Sequence, residues 1–430
     1  MDLKQDLAQQ LEAASHDTGE LIESLDDAAL MTQHDPLMSP LVWDYAHVGV
    51  YEELWLVNAV SGADPPGDER FHVYDAFENP RSVRASLNLM SRTEVDDYRD
   101  GVRHRALDLL EEVDVDDSEP LTREGFVYAM VAQHERQHQE TMLQTLQLLR
   151  GGWRPTLPEV RGAPAVDDTA QIPIPGGTYT VGSDDHAPYD NEHGRHEVLL
   201  DRFNIDRYPV SCRRYLEFME HSGYARRELW TDAGWAWRTE AMADAPKYWH
   251  RVDGTWMHDR FGHDIEVRLE EPVMHVTAHE AEAFATWAGG RLPTEQEWEV
   301  AAAWDPDVGR ARRFPWGDDD GSDQANLNRA QLGPSPLGGF PTGASAFGCE
   351  QMVGDVWEWT SSPFLPYPGF TAFPYREYSE VFFGDSYRVL RGGSWAADHT
   401  VARVTFRNWD YPIRRQIFAG FRCADRTLDR

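Results

Sequence analysis

Two histidines four residues apart, His134 and His138 in the run Met130-Val-Ala-Gln-His-Glu-Arg-Gln-His-Gln-Glu-Thr-Met, have the types and spacing to do chemistry. Imidazole nitrogens so spaced can meet at one metal ion, provided a helix stacks the rings one turn apart. The window 126–149 predicts that helix, because Phe126, Met130, Met142 and Leu146 recur with the histidines at helical spacing and no proline interrupts. The face carrying the rings is therefore the apolar one. Burying both imidazoles leaves four nitrogens in need of partners, which favours a metal over two structural histidines. A third candidate lies upstream, where His47 follows Trp43 by one turn and precedes Tyr51 by one, and so faces inward. Three such rings would hold one face of an ion and leave other positions open for substrate.

The same letters spell the His-Glu-x-x-His signature of zincin proteases, with Glu135 as general base. Residues 139–152 offer only Glu140 as a further ligand, too close on the same helix, so His47 is the better third. Bringing His47 to the pair requires several packed helices. Residues 3–30 read as a first helix, Ser39-Pro40 opens a second over 41–55, a third covers broadly 81–113, and the His134 helix is the fourth. Short connections make these a four-helix bundle over 1–150, the kind of core in which facing side chains build a metal site. Residues 151–170, rich in Gly, Pro and Asp without period, read as a linker. Over 171–430 short strand-like pieces alternate with turns, which predicts an irregular α+β domain.

The 430 residues carry 74 acidic against 40 basic side chains, a net charge of −34. Nucleic acid and anionic membrane surfaces are excluded as partners, since cations are too few and scattered to neutralise phosphate. Acidic residues spread along the whole chain, as on a surface kept soluble at high salt. With no apolar run long enough to span a bilayer and no signal peptide in residues 1–10, a cytoplasmic monomer is expected. Cys212, Cys349 and Cys423 form no Cys-x-x-Cys, so a metal must be held by histidine and oxygen.

Beyond the linker the chain carries Ile174-Pro-Gly-Gly-Thr-Tyr-Thr-Val-Gly-Ser, His196-Glu-Val-Leu-Leu-Asp-Arg-Phe-Asn-Ile-Asp-Arg-Tyr-Pro-Val-Ser, Pro272-Val-Met-His-Val-Thr and Gly290-Arg-Leu-Pro-Thr-Glu-Gln-Glu-Trp-Glu. Phe314-Pro-Trp-Gly, Gly354-Asp-Val-Trp-Glu-Trp, Arg391-Gly-Gly-Ser-Trp and Gly420-Phe-Arg-Cys-Ala follow. In order, these resemble the signature blocks of the formylglycine-generating-enzyme (sulfatase-modifying-factor) domain, which implies a C-type-lectin-like fold. That enzyme works with a cysteine pair soon after its Gly-Gly-Ser block; residues 396–406 contain none, so formylglycine formation is not expected. The first 150 residues resemble a DinB-like bundle with its three-histidine site at His47, His134 and His138.

The combination resembles the non-haem iron sulfoxide synthases of ergothioneine biosynthesis. The resemblance implies Fe2+ on the three histidines, and joining of the γ-glutamylcysteine sulfur to C2 of the hercynine imidazole, with oxidation to the sulfoxide by O2. It also implies that the C-terminal domain completes the substrate pocket. Carried over residue by residue, it makes Tyr375 the catalytic proton donor, with Tyr367 and Tyr387 as lesser candidates. Gln137, Tyr378, Asn408 and Trp409 become hercynine contacts, the indole suiting a quaternary ammonium. Arg81, Arg84, Asp410 and Arg414 become contacts of the thiol peptide, whose carboxylates a guanidinium grips bidentately.

Other readings are a sister sulfoxide or selenoneine synthase using cysteine or another thiol or selenium donor, a DinB-type metal-dependent thiol transferase, a zincin, and a lectin-like binding protein. An ovothiol enzyme usually adds a methyltransferase domain, which is not expected here. Retention of both Arg81 and Arg84 favours γ-glutamylcysteine.

Overall fold

The computed structural model describes residues 2–64, 69–115, 118–149, 153–160, 162–185, 189–319, 321 and 323–425. The chain divides into two compact units, Met1–Pro155 and Thr156–Arg430. Residues 151, 152 and 161 of the expected linker lie outside the described residues, as do 426–430. The later part of that stretch belongs to the second unit: Asp168 accepts a hydrogen bond from Ser211 Oγ at 2.5 Å, and the Ala170 carbonyl accepts from Arg207 N at 2.9 Å.

The first unit is built on four long helices, α1 (Leu3–Ile22), α3 (Leu41–Glu52), α5 (Arg92–Glu112) and α6 (Phe126–Leu148), with short helices α2 (Asp27–Met31) and α4 (Glu69–Val73) in the connections. Leu7, Leu11, Ala14, Thr18 and Leu21 make the buried stripe of α1; Val95, Val102, Ala106 and Leu110 make that of α5. Both keep the three- and four-residue spacing of a core-facing helix. Past Glu52 the second long helix widens into π-type turns over Glu53–Ala59.

Two boundaries differ from the sequence reading. The first helix stops at Ile22 rather than near 30, because Asp26 caps α2, accepting from Ala29 N at 2.8 Å. The third starts at Arg92 rather than 81: Ser91 and Glu94 form a capping box, and Arg81–Ser86 is a separate 3-10 turn after Pro80. Gly125 precedes α6 in the left-handed region at φ 72°, and a Cβ there would stand 2.3 Å from Leu7 Cδ1. Glycine thus lets α6 begin hard against α1.

The second unit is α+β. One sheet orders the strands Asn408–Asp410, Gly384–Arg391, Trp357–Phe364 and Ala419–Gly420; another orders Gln171–Ile174, Phe203–Asp206, Ala424–Asp425 and Gly290–Arg291. Hairpin Gly177–Val181 with His196–Leu200 and a three-stranded sheet from Trp249 to Glu266 complete the strands that place the core.

Several of the quoted blocks supply one another's charge partners inside this core, joined by Arg407. Arg391 Nη2 bonds Glu299 Oε2 at 2.5 Å, Arg407 bridges Glu295 at 2.9 and 3.0 Å, and Arg422 bridges Glu358 at 2.7 and 2.8 Å. Trp298 Nε1 donates to the same Glu358 at 2.9 Å. Each buried charge is met by its opposite, as burial demands. Gly392, at φ 93°, passes so close to the Met352 carbonyl that a Cβ would stand 2.4 Å from it, which accounts for the Gly-Gly of that block.

Candidate metal centre and the tyrosine cluster

His47 on α3 and His134 and His138 on α6 converge in the first unit. Their ring centroids are 5.2 Å (47 to 134), 4.8 Å (47 to 138) and 4.6 Å (134 to 138) apart. One ligating nitrogen from each lies within 4.8 Å of the other two. The helix period that stacked the pair in sequence thus holds, and the α3–α6 packing supplies the third ring.

Neighbours fix the orientation of two rings. His47 Nδ1 lies 2.7 Å from the Tyr74 carbonyl, which can only accept, so Nδ1 carries the proton and Nε2 is left as a lone-pair donor. His138 Nδ1 lies 3.2 Å from Asp44 Oδ1, and the same logic frees its Nε2. Trp43 stacks on His47 at 4.8 Å, and Tyr51 stacks on His134 at 3.7 Å.

Burial above all, then the neighbouring His138, holds His47 far below the usual imidazole range, at about 3. Burial, then His138 and His47, likewise depresses His134. Asp44 stays ionised: burial opposes it, but the His138 hydrogen bond and charge and the charges of Arg84 and Arg81 prevail. Neutral imidazoles are the form that binds metal. His134 Nδ1 is buried with no hydrogen-bond partner among the described residues, an orphaned polar atom that coordination or a coordinated water would satisfy. The donor set therefore fits a metal ion, and imidazole suits iron, zinc, copper or nickel.

Glu135 takes no part in the cluster. It is buried against Arg99 (2.5 Å), Thr18 (2.7 Å) and Arg103 (3.5 Å), tying α6 to α1 and α5. The general base required of a zincin is committed to the core.

Of the other residues singled out in this unit, Gln137 sits half-buried beside His138. Arg84 is buried, its guanidinium 3.4 Å from the Trp43 ring centre, bonded to Ser39 Oγ at 2.7 Å and to the Asn79 carbonyl at 2.8 Å. Arg81 is more open and reaches the Leu37 carbonyl at 2.9 Å. The two thus lie on a turn rather than a helix, one locked and one available.

In the second unit Tyr375, Tyr378, Asn408, Trp409, Asp410 and Arg414 share one neighbourhood, where the loop 366–383 meets the edge strand Asn408–Asp410. Ring centroids are 6.3 Å apart for Tyr375 and Tyr378 and 5.7 Å for Tyr378 and Trp409, while Trp409 stacks on Phe364 at 4.2 Å. Asn408 Oδ1 accepts from Trp409 N at 2.9 Å, and Asp410 pairs with Arg414 at 3.4 Å.

The lesser tyrosine candidates already hold partners, Tyr387 on the strand beside Asn408–Asp410. Tyr367 is buried under Arg407 (4.0 Å) beside Glu299, with burial raising its phenol strongly, and Tyr387 donates to Tyr411 Oη at 2.9 Å. Sequence reasoning missed Asp44, although it stands three residues before His47 on the same helical face. It also missed Tyr189, which stacks on Tyr378 at 4.0 Å. Nothing local in the sequence links residues so distant.

Residues 10–142 match the DinB superfamily, and residues 157–427 match the sulfatase-modifying factor enzyme 1-like domain. The chain is 48% identical to a hercynine oxygenase of Mycolicibacterium smegmatis over 98% of its own length and 99% of the relative's. It is 46% identical to the hercynine oxygenase of Mycobacterium tuberculosis, covering 93% of this chain and 94% of that one. A formylglycine-generating enzyme of Mycobacterium tuberculosis is 32% identical over 46% of this chain and 76% of its own length. The three cysteines here are all buried and none lies in residues 396–406, soon after the Gly-Gly-Ser block, so that likeness extends to the fold and not to the cysteine chemistry. With helical and sheet-rich units each matched to its family, and near-identical length shared with enzymes at nearly half identity, the chain belongs to the hercynine oxygenase family.

Proposed function

We propose that this protein is an iron(II)- and O2-dependent sulfoxide synthase that joins the sulfur of γ-glutamylcysteine to C2 of the hercynine imidazole, giving hercynyl-γ-glutamylcysteine sulfoxide. One oxygen atom ends on sulfur and the other leaves as water, which balances loss of the thiol and C2 hydrogens. The observation that carries the reading is the cluster of three histidines in a chain 48% identical to a hercynine oxygenase over 98% of its length.

Held by His47, His134 and His138, Fe2+ supplies the redox and O2 chemistry that side chains lack. The chain's own groups do the rest. Asp44 and the Tyr74 carbonyl hold the two imidazoles in the tautomer that leaves Nε2 free. Tyr375 Oη donates the proton taken up at oxygen, a task suited to a phenol. Trp409 and Tyr378 offer aromatic faces to the trimethylammonium group, and Gln137 and Asn408 offer amides to the rest of hercynine. Arg81, Arg84 and Arg414 balance the carboxylates of the thiol peptide, and Asp410 takes its ammonium. The setting proposed is a cytoplasmic monomer; no described helix is long and apolar enough to cross a membrane.

Protein loaded anaerobically with Fe2+ and given hercynine, γ-glutamylcysteine and O2 is expected to form a C–S-bonded sulfoxide detectable by mass spectrometry. Formation of the product only with cysteine would replace the thiol assignment by the sister reading. Retention of iron by His47→Ala would remove the metal site itself.

A further inference from the structure

The short segment that carries Tyr375 and Tyr378 is held at both ends by one buried side chain. Asp190 Oδ1 accepts from Ser379 Oγ at 2.5 Å, and Asp190 Oδ2 accepts from the Phe373 backbone N–H at 3.3 Å. The carboxylate is 2% exposed and Ser379 is fully buried, so water does not compete for either bond. Asn191, the next residue, adds a bond from Nδ2 to Ser379 Oγ at 3.1 Å. Tyr189, the preceding one, lays its ring on Tyr378 at 4.0 Å.

Three consecutive residues thus grip a loop nearly two hundred positions away in sequence. Their own seat is firm: Glu192, which follows, is buried and bridged by Arg403, and the Asn191 carbonyl accepts from Arg407 Nη1 at 2.8 Å.

We propose that Asp190 is the positioning residue of the reaction, a two-armed clamp that fixes where the Tyr375 hydroxyl points. The inference rests on the reading of Tyr375 as proton donor. The physical reason is the geometry of proton transfer: a donor on an irregular loop samples many positions unless both ends of the loop are pinned, and a misplacement of about 1 Å can lower a rate roughly 100-fold. A carboxylate is the side chain that can receive two donors from opposite ends at once. Asparagine keeps the shape but offers only one acceptor oxygen.

The test uses the full-length, iron-loaded protein and three variants, Asp190→Asn, Ser379→Ala and Tyr375→Phe. Two quantities are read: the ratio of sulfoxide to simply oxidised thiol, and amide hydrogen exchange over 373–379. Asp190→Asn is expected to speed exchange in that segment and to lower the product ratio roughly 10- to 100-fold with little change in either KM. Ser379→Ala, which removes one arm and leaves the carboxylate, should shift both in the same direction by less.

Faster exchange with an unchanged product ratio, while Tyr375→Phe does change it, reduces Asp190 to a structural role and overturns the proposal. Unchanged exchange overturns the clamp. If Tyr375→Phe leaves the ratio unaltered, the tyrosine assignment falls and the proposal falls with it, a result separable from the previous two.

Discussion

Asp44 Oδ1 stands 3.2 Å from His138 Nδ1, a carboxylate on α3 orienting a ring on α6. The partner of a ligating imidazole sets its tautomer and basicity, and losing it typically lowers metal affinity about 10- to 100-fold. Asp44→Asn should weaken iron binding by that order, read by competition with a chelator, with the fold intact by circular dichroism. Unchanged affinity would show that the contact does not support the ring.

Glu135 answers to two arginines and a threonine inside the bundle. Removing one partner of a buried charge pair strands the other and typically costs about 3–5 kcal/mol. Glu135→Ala should therefore lower the unfolding free energy of the first unit by about that amount while leaving the product ratio of the surviving enzyme unchanged. Loss of chemistry with full stability would revive the general-base role.

His275 in the second unit is depressed to about 3, first by burial and then by the charge of Lys247. The sign follows from the two states. Between its unfolded value, about 6.5, and about 3, the unfolded chain binds a proton that the folded one does not, so stability falls as pH drops through that window. From pH 7 to 5 this one group should remove about 2 kcal/mol. His275 adopts φ 66°, which asparagine tolerates, so His275→Asn should lose less stability than the parent over that interval in urea titrations. An identical loss in both proteins would contradict the assignment.

The two arginines near 80 should separate experimentally. Arg84 is locked between Trp43, Ser39 and Asn79, and that indole stacks on His47. Arg84→Ala should lower melting temperature and iron affinity together. Arg81→Ala, on a more open side chain, should raise the KM for the thiol with the melting temperature nearly unchanged. Equal effects on stability would show that the turn does not distinguish them.

The sequence by itself determined the parts that obey a local rule. His134 and His138 had to share a helical face because they are four apart in an unbroken apolar window, and His47 had to point inward between Trp43 and Tyr51. The shift at Gly151 from helical periodicity to turns marked a change of architecture. A local rule also places the true start of the third long helix: Ser91 and Glu94 spell a capping box, which leaves Arg81 on a separate turn after Pro80.

Only the tertiary structure decided which side chains serve each other across large separations. That Glu135 leaves the histidine cluster for Arg99, that Asp44 meets His138, and that Asp190 closes both ends of the Tyr375 segment depend on packing between elements. Hydrogen bonds and ion pairs act over about 3 Å, whatever the number of residues between the partners. Spacing along the chain therefore predicts a face, and the fold alone supplies its partner.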